Sequence, residues 1–250
     1  MTTFNKIYKY YDLIYKDKDY IAESDHVDSI IKKHNPSISL LEYGSGTGKY
    51  SEIFKSKNYK IKGVEISDEM HRIALNKGLN SVNHDMITFK SDKKFDNAIS
   101  MFHVFSYLNS NNDINIFFKN LYNNLNKNGL FIFDAWYTPS VLHLKPTSRK
   151  KNYKDNQLTI ERTSYPEIIN PNNSVNVKFE FKIKHNITGD TENITETHLM
   201  RHFSISEIEE FSVNNGFKLI DSCELITKKS PSNKTWSLVH TIQKNDLHSL

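Results

Sequence analysis

Between residues 38 and 135, short apolar runs alternate with amphipathic stretches. The runs at 38–43, 59–66, 80–84, 95–101 and 130–135 have the length of strands and end in glycine, acidic or turn residues. The stretches at 49–56, 67–77 and 113–125 carry the helical period, and Ile114, Phe117, Phe118, Leu121 and Leu125 make one stripe of the last. Ser67 stands where an N-cap would, and Asn128-Gly129 breaks the third helix. This alternation predicts an α/β fold, a Rossmann-like doubly wound sheet of about seven strands with helices on both faces. Ahead of it, residues 1–37 read as helical, with Tyr8, Tyr11 and Tyr15 at helical spacing, Val27, Ile30 and Ile31 on one face, and Pro36 as a stop. After it the period changes to two over 156–202: Leu158, Ile160 and Arg162, then Val175, Val177, Phe179, Phe181 and Ile183. The clusters Asn170-Pro171-Asn172-Asn173 and Thr188-Gly189-Asp190 punctuate this region, which predicts an antiparallel insertion of three or four strands. Ser204 and Glu207 form a capping box for a helix ending near Asn215-Gly216. The segments 217–227 and 235–243 predict an antiparallel pair that closes the main sheet.

Composition narrows the class. The chain has 250 residues, 37% hydrophobic and 25% charged, which suits one large domain or a core with an appendage and argues against disorder. A single cysteine, Cys223, excludes an intrachain disulfide and a cysteine-rich zinc site. The net charge of +4, from 33 Lys+Arg against 29 Asp+Glu, is too small for a dedicated nucleic-acid binder, although it admits an anionic small molecule. No apolar run approaches the roughly 18 to 20 residues that cross a membrane. The first residues lack the apolar segment of a secretory signal, so a cytoplasmic protein without membrane partners is expected. The sequons at Asn172, Asn186 and Asn193 then read as accidents of an Asn-rich chain.

The sharpest motif is Glu42-Tyr43-Gly44-Ser45-Gly46-Thr47-Gly48, directly after the first predicted strand. Alternate glycines let the backbone turn tightly and approach a ligand. A dinucleotide fingerprint fails because Lys49 stands at its third glycine, and a phosphate loop fails because Tyr50 follows Gly48-Lys49. Glu65 closes the second strand and Asp85-Met86 follows the third. A carboxylate suits two ribose hydroxyls; an acid beside a thioether suits an adenine amino group and ring. Each acid alone reads equally as an ordinary strand-end residue. On three consecutive strand ends the set is far more specific than any one of its members.

The spacing E-x-G-x-G-x-G resembles the first motif of class I S-adenosylmethionine-dependent methyltransferases. Together YDLIYKDKDY, EYGSGTG, GVEIS, HDM, SMFHVFSYL, NGLFIFDAWYTPSVL and THLMRHFS resemble a family of bacterial small-molecule methyltransferases that includes amino-sugar N-methyltransferases and enzymes of surface-polysaccharide pathways. The resemblance covers nearly the whole chain and implies S-adenosyl-L-methionine as cofactor. It implies a helical lid over 1–37, a cofactor-binding core over 38–145, an antiparallel insertion over 146–203 on the acceptor side, and a C-terminal helix with closing strands over 204–250. The insertion also offers a surface for a homodimer. Cofactor contacts are implied for Tyr11, Tyr20, Glu42, Gly44, Ser45, Gly46, Gly48, Glu65, Ile66, Met70, Asp85, Met86 and Met101. Tyr11 and Tyr20 read equally well as packing of an N-terminal helix.

A sulfonium methyl is already activated, so alignment supplies most of the acceleration and no metal is called for. His198 and His202, the close histidine pair, would stand about 13 Å apart along a strand. The acceptor is expected beyond the fourth and fifth strands. The [ND]-P-P-[YF] signature of ring- and amide-nitrogen methylation is absent there, which disfavours nucleic-acid bases. His103 and Tyr107 are the catalytic candidates; a histidine can take a proton near neutral pH. The amino-sugar relatives often carry a small polar residue in place of His103, which moves weight towards an oxygen acceptor. Trp136, Tyr137, His198 and Arg201 are candidate acceptor-binding groups, Arg201 being favoured for an anionic one. The run Arg149-Lys150-Lys151 reads as a solvated loop, and Lys234-Thr235-Trp236 falls where the relatives place a pocket loop. The expected activity is methyl transfer to a small polar acceptor, a sugar or nucleotide-linked (amino) sugar in polysaccharide or secondary-metabolite synthesis. The alternatives are another small metabolite, amino-acid-like or phosphorylated, and a cofactor-binding regulator without an acceptor.

Overall fold

The structure, a computed structural model, describes residues 6–169 and 173–245. The turn residues Asn170, Pro171 and Asn172, with one sequon, lie outside the described residues. Five strands, β1 (Ser39–Tyr43), β2 (Lys60–Glu65), β3 (Ser81–Asn83), β4 (Phe95–Ser100) and β5 (Leu125–Tyr137), run parallel in the order β3-β2-β1-β4-β5. The insertion supplies β6 (Arg149–Lys154), β7 (Leu158–Ile169), β8 (Ser174–His185) and β9 (Thr191–Phe203), all antiparallel to their neighbours within it. The closing pair is β10 (Phe217–Glu224) and β11 (Ser237–Lys244), with β11 antiparallel to β5.

Among the described residues the core thus holds seven strands, but the whole sheet has 11. The difference lies in β5, which outruns β4. Its Trp136 and Tyr137 pair with His202 and Phe203 of β9, while Trp136 also pairs with Ser237 of β11. One residue cannot pair with two strands on one edge, so β9 takes the edge that β4 leaves. The insertion therefore continues the core sheet beyond the end of β4.

Seven α-helices are present among the described residues: α1 (Tyr11–Ile14), α2 (Tyr20–His34), α3 (Lys49–Ser56), α4 (Asp68–Asn76), α5 (Asn111–Asn124), α6 (Thr138–Leu144) and α7 (Ile205–Asn214). Local chemistry sets their starts. Asp19, Ser67, Ser110 and Ser204 each cap a first turn, and Ser204 with Glu207 completes the capping box. The start of α5 is two residues earlier than predicted because its cap is Ser110. The short α6 was not predicted; Pro139 in its first turn is the signal.

Both faces of the core sheet are covered. Leu40 points to Val27, Ile31 and Phe54 on one side, and Leu41 and Tyr43 point to Phe117, Leu121 and Phe131 on the other. Burial on both faces explains why β1, β4 and β5 read as continuous apolar runs. The N-terminal segment bridges the two parts of the sheet. Ile7, Tyr10 and Ile14 pack on Ile160, Phe181, Ile183 and Ile194 of the insertion. Asp12 accepts from Thr47 Oγ1 at 2.6 Å in the glycine loop, and Lys77 and Lys49 lie 3.3 and 3.4 Å from its carboxylate. Thr47, Lys77 and Lys49 together outweigh burial and hold Asp12 below the usual carboxylate range. No described helix is long and apolar enough to cross a membrane.

Candidate active site

The glycine loop joins β1 to α3. Gly44, Gly46 and Gly48 have φ of +68°, +55° and +87°, a region closed to most side chains. The neighbours differ in what they forbid. A Cβ at Gly44 would lie 2.4 Å from Val104 Cγ1, and one at Gly48 would lie 2.2 Å from Leu79 Cδ1. Above Gly46 the nearest such atom is Met70 Sδ at 3.9 Å, so the loop bares its backbone there. Glu65, at the end of β2, accepts the Gly46 amide at 2.7 Å through Oε2 and the Ser67 amide at 2.8 Å through Oε1. A carboxylate oxygen has two acceptor positions, so each keeps one beyond its backbone donor, although Glu65 is buried and is not among the residues that line the cavity. Burial pushes the Glu65 carboxyl up, and its backbone donors pull against this.

A cavity of about 410 Å³ opens over this loop. At one end it is lined by Gly44, Ser45, Gly46 and Met70. It passes Met101, Phe102, His103, Val104 and Tyr107 at the end of β4, and reaches Val177, Phe179, Phe181, His198 and Met200 of the insertion. Tyr11, Tyr15 and Tyr20 close it from the N-terminal side. Their rings interlock with the loop after β4: Tyr15 lies 4.7 Å from Tyr11 and 4.9 Å from Phe102, and Lys18 stands over Phe102 at 4.4 Å.

That loop is strained. Phe102 and His103 both have positive φ, +67° and +62°, without being glycine. The strain is held by Asp134 on β5, which accepts the His103 amide at 2.9 Å while its other oxygen lies 2.6 Å from His103 Nδ1. The second contact is close but off the hydrogen-bond line. Burial would push Asp134 up, but His103 and, farther away, Lys18 hold it below the usual range. Tyr107 Oη lies 2.6 Å from His198 Nδ1.

The comparisons with known proteins bear on this geometry. A methyltransferase domain family matches residues 17–222. The chain belongs to this methyltransferase family. A curated relative from Streptomyces venezuelae, named dTDP-3-amino-3,4,6-trideoxy-alpha-D-glucopyranose N,N-dimethyltransferase, is 25% identical over 204 residues, covering 80% of this chain and 84% of the relative. Two solved structures share the fold. An S-adenosylmethionine-dependent methyltransferase from Clostridium acetobutylicum has a TM-score of 0.80 at 22% identity over 95% of this chain and 97% of its own. A sugar N-methyltransferase from a Streptoalloteichus species has a TM-score of 0.80 at 19% identity over 94% and 93%. S-adenosylmethionine is the cofactor of this methyltransferase.

Not every predicted residue of the methyltransferase reaches the cavity. Glu42 lies beneath the glycine loop, where it accepts from Ser51 Oγ. Gly48 serves the turn and its packing on Leu79 rather than the cavity wall. Ile66 is exposed, and Met86 packs against the main core. Asp85 Oδ1 accepts the Ile87 amide in a tight turn after β3. Arg201, expected to meet an anion, points away: it donates to Asn111 at 2.8 Å and Glu207 at 3.3 Å and stacks on Phe203. Tyr137 is also off the wall, whereas Trp136 is on it, 5.5 Å from Trp236. In a strand one residue's difference turns a side chain to the opposite face. His202 bonds Thr138 rather than sharing a site with His198. Among the described residues no group of three or more His, Cys, Asp or Glu is placed to hold a metal ion.

Four contributors were missed. Arg149 is exposed, as expected of its basic run, but it lies in strand β6 rather than a loop and reaches the cavity wall. Phe179 and Phe181 line the cavity from β8; their alternation gave the strand but not its direction. Glu196 partners His198 at 3.2 Å, a contact with no local sequence signal beyond its i+2 spacing.

Proposed function

We propose that this methyltransferase methylates the amino group of a sugar carried on a nucleotide. The observation that carries the reading is the single cavity that runs from the glycine loop, past the strained turn after β4, to an aromatic wall built by the insertion. Trp136, Trp236 and Phe179 offer flat faces for a sugar and a base, and Arg149 can meet phosphate oxygens. The named relative from Streptomyces venezuelae acts on a dTDP-linked amino sugar, which supports the same class of acceptor here.

The cofactor end fits S-adenosylmethionine. Gly44 to Gly46 bare backbone to the cavity, Glu65 has acceptor positions for ribose, and Met70 offers a thioether beside them. When bound, the cofactor supplies a methyl on a sulfonium, already activated for in-line displacement. The chain's own residues align and exclude. Tyr11, Tyr15, Tyr20 and Phe102 cover the junction and keep water from it. His103 is fixed beside the acceptor by Asp134. Proximity and orientation then account for most of the rate.

A second reading, transfer to a sugar hydroxyl, is favoured by the His103–Asp134 pair. A hydroxyl must lose its proton as it attacks, and a histidine held by a buried carboxylate can take it. Incubation with isotopically labelled cofactor and a panel of amino-sugar nucleotides, neutral sugar nucleotides, and phosphorylated or amino-acid-like metabolites, read by mass, tests both. A methyl gained on an amino-sugar nucleotide supports the first. A gain confined to neutral sugars replaces it with the second, and a gain confined to other metabolites overturns both.

A further inference from the structure

A second titratable cluster meets the cavity where the 3-10 turn Val104–Tyr107 packs on β9. Tyr107 Oη lies 2.6 Å from His198 Nδ1, and His198 Nε2 lies 3.2 Å from Glu196 Oε2. Glu196 uses its other oxygen to accept the Lys6 amide at 3.0 Å, which ties the N-terminal segment to the cluster. His198 is 3% exposed, and the ring of Phe179 stands edge-on to it at 5.1 Å. Both Tyr107 and His198 line the cavity.

With Glu196 ionised and His198 neutral, the order of groups sets the direction of the hydrogens. An ionised carboxylate only accepts, so the hydrogen between Glu196 and His198 belongs to Nε2. A neutral imidazole carries one N–H, so Nδ1 is bare and the hydrogen in its contact with Tyr107 belongs to the phenol. Tyr107 has then used its only hydrogen and can meet a further group solely as an acceptor. That polarity selects a donor, such as an amine or ammonium.

We propose that Tyr107, His198 and Glu196 form the proton exit of the transfer, with Tyr107 taking a proton from the acceptor nitrogen and passing its own to His198. The inference rests on the amine reading above. An amine that gains a methyl becomes an ammonium with a proton to lose. Its N–H bond breaks and leaves the electron pair on nitrogen. An O–H bond forms on Tyr107 as the former O–H breaks, and an N–H bond forms on His198 Nδ1. The imidazolium is stabilised by Glu196 and returns its proton to water after product release. Tyr107 is the catalytic residue of the three; His198 and Glu196 act through it. Burial, with Tyr15 and Glu196, pushes the Tyr107 phenol well above its ordinary range, so it relays a proton without lingering as an anion. Among the described residues, titratable or charged groups facing the cluster include Tyr11 and Tyr15 of the N-terminal segment and Arg162 of β7, which stacks on Phe179 and donates to Tyr15.

The test has two parts. With the full chain bound to S-adenosylhomocysteine, the ring-nitrogen NMR shifts of His198 should show the Nε2–H tautomer, and Glu196→Gln should lower its titration midpoint. An Nδ1–H tautomer overturns the relay whatever the acceptor. With the acceptor found in the panel, Tyr107→Phe should lower kcat about 10²-fold with little change in KM. Glu196→Gln should move the acidic limb of the kcat profile to lower pH, whereas a structural loss would lower kcat alike at every pH. A Tyr107→Phe rate within threefold of the parent, or an unmoved limb in Glu196→Gln, overturns the proposal. If only hydroxyl acceptors react, the amine reading falls and the nitrogen proton exit falls with it; if an amine reacts but Tyr107→Phe keeps its rate, the relay alone falls.

Discussion

Glu65 reaches from the end of β2 to accept the Gly46 amide at 2.7 Å, so the second strand holds the glycine loop of the first. The same carboxylate shapes the loop and, on the function proposed above, meets the cofactor's ribose. Glu65→Ala should therefore weaken S-adenosylmethionine binding about tenfold or more, the worth of hydrogen bonds to a charged group. Isothermal titration measures it, and unchanged affinity would remove the ribose role.

Glu42 lies under that loop with a carboxyl pushed up to about 8; burial raises it, Ser51 opposes this, and the charge of Glu65 adds to it. A folded value above the unfolded one gives stability that is complete below the unfolded value and is lost as pH rises through the folded one. The melting temperature should fall between pH 5 and pH 8, by at most about 1.4 kcal/mol of stability per pH unit from this group. Glu42→Gln should flatten that fall. An equal slope in the variant would assign it to other groups.

Gly44→Ala faces two penalties, its φ of +68° and the methyls of Val104. It should destabilise by more than about 1 kcal/mol. Adding Val104→Ala should restore part of that loss, because it removes the two nearest atoms. Thermal melts of the four proteins in the cycle give the coupling, and strict additivity would mean that the clash relaxes elsewhere.

Asp134 is held below the usual range despite burial, so its contribution is present above the unfolded value and is lost as pH falls through the folded one. Asp134→Asn should cost stability at pH 7 and much less near pH 3. His103→Ala should slow a hydroxyl acceptor about 10²-fold and an amine far less. Comparable losses on both acceptors would make His103 a positioning group in each case.

Phe179 lines the cavity from the insertion, away from the glycine loop. Phe179→Ala should raise KM for the acceptor and leave the cofactor Kd unchanged. A weakened cofactor with an unaltered acceptor KM would reverse the assignment of the two ends.

The elements that could be read directly from the sequence are those whose causes are local. Ser67 capping α4, Ser204 with Glu207 opening α7, the alternating glycines after β1 and the stripe of α5 each depend on residues within a few positions of one another. On β9, period two separates His198 and Met200, which line the cavity, from Arg201, so the expectation that both His198 and Arg201 meet the acceptor did not hold. Other relationships had no such signal. Tyr107 meets His198 across 91 positions, His103 meets Asp134 across 31, and Tyr10 meets Glu192 across 182. The sequence by itself determined a glycine-looped parallel sheet and the methyltransferase family that uses it. Only the tertiary structure decided which face of the insertion looks inward and which polar groups become neighbours. Strand pairing and register set those contacts, and they are fixed by packing between distant segments rather than by local residue types.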